Sequence, residues 1–189
     1  NAIAQKSKAH KLFIDFLKNP ESWVAMLKTI DERGGFYSEN VRIDVRLAPT
    51  GMYGLGRGNL GRGTMILNYE NMARIVSLAR GSVESPQKII AHELCHIFHA
   101  PKMDLPLFMN EGMAEYVSMK EDQLGPYFDS GKEVKNLDES VAIGFDERYA
   151  RGLIFFKYLE SKYKPAAAKK FIILVCLKEK SCREALQEE

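Results

Sequence analysis

Two short strings near the middle of the chain carry residues able to do chemistry together. His92-Glu93-Leu94-Cys95-His96 sets two imidazoles four residues apart with a carboxylate beside the first; Asn110-Glu111-Gly112-Met113-Ala114-Glu115-Tyr116 follows after a short gap. Residues four apart are neighbours on a helix surface, so both imidazoles can reach one metal ion. Glu93 stands to the side, placed to take a proton from a water on that ion. The flanks favour a helix: Ser85 suits the N-cap, Pro86 the first helical position, and Pro101 closes the segment. At about 100° per residue, His92, His96 and His99 share one face. Ile90, Leu94 and Ile97 lie nearly opposite and can dock on a core. Cys95 lies off the histidine face and reads as packing.

Hydrolysis at zinc requires a third protein ligand and an open fourth position. His99 is nearest in sequence, but it stands roughly 10 Å from His92 along a helix axis, too far for one ion. The third ligand is therefore expected from another element, and Glu111 is the best offer. Residues 107–119 repeat the two-faced layout, with Glu111 and Glu115 on one side and Met109, Met113 and Tyr116 on the other. Gly112 within that helix costs about 1 kcal/mol relative to alanine, which marks close approach of a neighbouring helix or backbone. Solvated histidines and a solvated acidic stripe are the bland alternative, and the two strings together weigh against it.

His92-Glu93-x-x-His96 followed by Asn110-Glu111-Gly112-x-Ala114-Glu115-Tyr116 resembles the gluzincin zinc metallopeptidases, which are peptidase MA-like and include the thermolysin-like proteases and the large zinc aminopeptidases. The chain looks like a compact, single-domain member. The resemblance implies His92, His96 and Glu111 as zinc ligands, Glu93 as general base, and Glu115 as an outer acceptor supporting a ligand histidine. The 14 residues between His96 and Glu111 leave less room for inserted substrate-site structure than the large aminopeptidases have. A metzincin assignment fails, because His99 and Lys102 occupy the positions that family gives to glycine and a third histidine. The resemblance also implies that a substrate peptide lies beside an edge strand at 65–69 and the glycines before it.

Tyr149 is the candidate for stabilising the oxyanion formed when water attacks the carbonyl. Tyr149-Ala150-Arg151-Gly152 is similar to the Tyr-x-x-Gly string that carries the transition-state tyrosine in the large aminopeptidases. Tyr149, Leu153 and Phe156 also fit one apolar helix stripe, so a packing role stands beside the functional one. In that case Tyr116, Tyr127 or a histidine takes the oxyanion role.

With 189 residues, 46% of them hydrophobic, the chain can bury a real core, and its net charge of +2 lacks the basic excess of a nucleic-acid binder. No apolar run approaches the roughly 18 residues of a membrane span. The first residue is Asn1 and no charged-then-apolar leader follows, which suggests a processed or truncated form. Three cysteines define no disulfide framework; Cys176 and Cys182 either pair or remain thiols, with Cys176 in the core. The resemblance implies an extracytoplasmic enzyme, secreted, periplasmic or anchored through a removed N-terminal segment.

Around the two strings, apolar periodicity predicts helices at 4–18 and 20–32, the second capped by Asn19-Pro20. Alternation of apolar and charged residues predicts a half-buried strand at 41–47. Six glycines between Gly51 and Gly63 include a literal G-x-G-x-x-G, but a strand at 64–68 follows instead of a helix. A hairpin or bulged connection fits better than a nucleotide site. A short helix is expected at 70–79, a polar cover of the cleft at 120–145, and helices at 147–163, 166–178 and from Ser181 onward.

The expected fold is α+β and zincin-like. A small, mostly antiparallel sheet packs on the histidine helix, and a largely helical C-terminal part follows. Residues 1–33 form an N-terminal helical segment. Residues 34–189 form the catalytic domain, with strands and zinc helix in 34–100 and the glutamate helix and C-terminal helices in 101–189. The expected function is zinc-dependent hydrolysis of peptide bonds in a peptide or protein substrate. The alternative is an inactive zincin-fold protein that binds a peptide or partner.

Overall fold

The computed structural model describes residues 11, 14–35, 40–48, 54–59, 61–68, 86–99, 105–118, 145–164 and 166–188. Two compact units divide the chain: Asn1–Asp31 with Phe36–Ala100, and Glu32–Gly35 with Pro101–Glu189. The class is mixed α and β, as composition and periodicity predict. Most of the helix expected at 4–18 lies outside the described residues, though 14–18 are helical. The helix expected at 70–79, and 120–144 of the expected cleft cover, also lie outside them.

In the first unit, which holds α1 (Pro20–Gly34) as far as Asp31, that helix starts where Asn19 Oδ1 accepts the amide of Glu21 at 3.1 Å, a side-chain cap ahead of a proline at the first position. Met26 and Ile30, four apart on its inner face, are buried. The sheet holds β1 (Arg42–Ala48), β2 (Gly54–Asn59) and β3 (Arg62–Asn68) in the order β1-β3-β2. In β1 the charged residues Arg42, Asp44 and Arg46 are exposed while Ile43, Val45 and Leu47 are half-buried, the period of two that the sequence announces.

Two expectations about the sheet need correction. It is mixed, not mostly antiparallel: β2 pairs antiparallel with β3, but β1 pairs parallel with β3, Val45 opposite Met65. The hairpin expected over the glycines is present: they form β2 and turn the chain back at Gly61 (φ +79°) into the antiparallel β3, a backbone conformation that glycine adopts without a Cβ clash. That return places β3 in the centre, where Met65 and Leu67 are completely buried. With β1 on one side and β2 on the other, β3 cannot be the edge beside which a peptide is added. The histidine helix, α2 (Pro86–Phe98), packs on β2 and β3.

The second unit is helical: α3 (Leu107–Ser118), α4 (Phe145–Lys162), α5 (Ala167–Cys176) and α6 (Cys182–Gln187). α4 covers nearly all of the helix expected at 147–163. Gly112 of α3 rests directly on Gly152 of α4, and a methyl group at either would overlap the other's backbone. This is the close approach that a glycine in mid-helix signals. One turn on, Tyr116 stacks on Phe156 at 5.4 Å and donates its hydroxyl to Glu160 at 2.5 Å. Arg33 of the same unit donates to the Tyr116 carbonyl at 3.0 Å, serving one of the carbonyls left over at a helix C-terminus. α6 opens with the expected Ser181, whose hydroxyl accepts the Glu184 amide while Glu184 accepts the Ser181 amide. Among the described residues no helix is long and apolar enough to cross a membrane.

Candidate metal centre

α2 is enclosed on nearly every side, which follows from its composition. Ile90, Leu94, Cys95 and Ile97 are completely buried, and His92 and Glu93 are each 8% exposed. A helix covered this fully is held by backbone contacts as well as side chains. At Gly56 in β2 an added methyl would overlap the carbonyl of Glu93, so the strand lies directly on the helix backbone at that residue. Further along, the amide of Gly61 donates to the Ile97 carbonyl at 3.3 Å, and Arg42 donates to the Gly61 carbonyl at 2.9 Å. The hairpin turn thereby fastens the end of α2 to the sheet.

On this support the rings of His92 and His96 meet edge to face, with centroids 5.0 Å apart and planes at 78°. Their Nε2 atoms stand 3.3 Å from each other. Two nitrogens held at about 2.0–2.1 Å from one ion with a tetrahedral angle between them are separated by about 3.3 Å. The pair therefore already has the spacing that a tetrahedral metal imposes. Of the three candidate ligands, His92 and His96 belong to the first unit and Glu111, on α3, to the second. Two imidazoles and a carboxylate, with a further position left for water or substrate, are the donor set of an open catalytic site.

His99 does not join them. It follows directly on α2, which ends at Phe98, and stands too far along the axis from His92 to share one ion. Its ring is fully buried with Nδ1 at 3.2 Å from Cys95 Sγ, and its amide donates to the Cys95 carbonyl at 2.7 Å. Cys95 is the packing residue expected, and it also holds the end of the helix in shape.

Of the remaining candidates, Glu93 follows His92 directly in α2, and Glu115 lies one turn after Glu111 in α3, buried at 5% exposure. A carboxylate that deep is stable only with compensating partners. Tyr149 falls in the early part of α4, and its side chain lies outside the described residues. Gly56 is the residue that reading the sequence for chemistry passes over. Its signal was present all the same: Gly54, Gly56 and Gly58 recur at every second position, one face of a strand made smooth for close approach.

Compared with known protein families, curated proteins and solved structures, the chain matches none.

Proposed function

We propose that the chain is a zinc-dependent hydrolase of peptide bonds, with His92, His96 and Glu111 holding the ion. The observation that carries the reading is the 3.3 Å separation of the two Nε2 atoms; Glu111 is the third ligand that the resemblance to the gluzincins implies. When bound, zinc lowers the pKa of a water towards 7 and polarises a carbonyl. Glu93, fixed through its backbone by Gly56, is the proton acceptor for the attacking water and returns that proton to the leaving amine. The near-complete burial of Glu93 strengthens its electrostatic action, because little water competes for it. Glu115 supports a ligand histidine, and Tyr149 donates to the oxyanion. The glycine-bearing β2, at the end of the strand order and seated on the Glu93 carbonyl, offers the main-chain edge along which an extended peptide lies.

Elemental analysis of the purified protein, run together with cleavage of an unbiased peptide mixture, tests this reading. Zinc near one equivalent is expected, with cleavage abolished by chelator and restored by zinc. Iron also accepts two imidazoles and a carboxylate, and its presence in place of zinc would overturn the assignment. His96→Ala should lose the metal. Glu93→Gln, nearly isosteric, should keep metal and fold yet lose the base, lowering turnover by at least about 10²–10⁴-fold. Wild-type cleavage by Glu93→Gln would refute the mechanism, and a zinc-loaded protein with no cleavage of any peptide would favour the binding alternative.

A further inference from the structure

Away from the histidines, the second unit gathers sulfur. Met109 and Met113 stand one turn apart on α3; Cys176 closes α5 and Cys182 opens α6. No disulfide joins the two cysteines. Each thiol instead donates to a thioether: Cys176 Sγ to Met113 Sδ at 3.8 Å and Cys182 Sγ to Met109 Sδ at 3.7 Å. Met109 and Met113 are four apart on α3 and so adjacent on its surface, which makes the two pairs neighbours. Met109, Met113 and Cys176 are buried, while Cys182 is half-exposed and gives the group a way in.

We propose that Met109, Met113, Cys176 and Cys182 form a soft-metal site that takes one Cu(I) ion. Thiolate and thioether sulfur together select Cu(I) over the harder divalent ions. Sulfurs bound at about 2.3 Å with a tetrahedral angle between them stand about 3.8 Å apart, which is the separation in both pairs. In each pair the thiol proton occupies the place between thiol and thioether that the cation would take. Uptake breaks both S–H bonds, forms two copper–thiolate and two copper–thioether bonds, and releases two protons to solvent; no electron is exchanged. Plain sulfur packing gives similar distances but predicts no cation uptake.

The test titrates the whole reduced protein, without oxygen, against Cu(I) held by a coloured bathocuproine chelator. It follows the chelator's colour together with sulfur-to-copper absorption in the near ultraviolet. One equivalent should pass to the protein, and should still pass to the His92→Ala/His96→Ala variant. A Met109→Leu/Cys182→Ser variant should bind more weakly by over about a hundredfold, beyond the loss caused by removing a mere supporting partner. Where that variant loses helical circular dichroism, Met109→Leu alone decides, since it nearly conserves volume and apolarity; about tenfold weaker binding is then expected. The proposal is overturned if the chelator keeps its copper against the wild-type protein. It is equally overturned if the deciding variant binds as tightly as wild type.

Discussion

At the scale of single residues, the sequence states the histidine pair almost completely. Spacing alone puts His92 and His96 on one face, and their Nε2 atoms are found 3.3 Å apart. His99 shares that face by periodicity, but axial distance from His92 keeps it from the same ion, and its ring packs against Cys95 instead. The roles of Glu111 and Glu115 are separable by experiment although the two are one turn apart on α3. Removing an outer partner of a metal ligand costs about 10–100-fold in affinity or activity, whereas removing a ligand abolishes the closed donor set. Glu115→Ala should therefore weaken zinc binding in part, and Glu111→Ala severely, in a chelator competition assay; the reverse order would exchange their assignments. Tyr149→Phe bears on a role that still rests on the resemblance of its flanking string.

Among the secondary-structure elements, legibility depends on whether a segment carries side chains that report its surroundings. β1 announces itself through alternating charge, and α6 through the Ser181 and Glu184 pair. β2 is nearly silent, because glycines have no hydropathy to alternate, and the parallel pairing of β1 with β3 joins residues about twenty apart, which no local pattern encodes. Yet β2 is the element that seats the proposed base. Gly56→Ala drives a methyl group into the Glu93 carbonyl, and overpacking of this kind costs about 1–3 kcal/mol. A lower melting temperature together with weakened zinc binding is expected, because the helix must shift at the residue next to His92. A variant with wild-type melting and zinc affinity would show that the strand gives way and the helix does not.

Across the whole molecule, stability carries an alkaline limit that no motif reveals. Burial, and then the nearby Cys182, push the Cys176 thiol from an ordinary 9.0 up to about 12. The folded state thus favours the protonated thiol. Its contribution is complete below about pH 9 and is lost as pH rises towards 12. At about 1.4 kcal/mol per pH unit the full effect approaches roughly 4 kcal/mol. Urea denaturation between about pH 9 and 11 should therefore show a steeper loss of stability in wild type than in Cys176→Ala; parallel curves would refute the argument. A different consequence follows from the enclosure of α2. Where nearly every face of a helix is covered, its amides have little local route to solvent, and deuterium should enter Ile90–Phe98 mainly through openings as large as the surrounding unit. Slow exchange there in metal-free protein would mean that the imidazole pair is a template standing ready before any ion arrives. Capture would then be paced by diffusion and the shedding of the ion's own water, with no folding step to wait for.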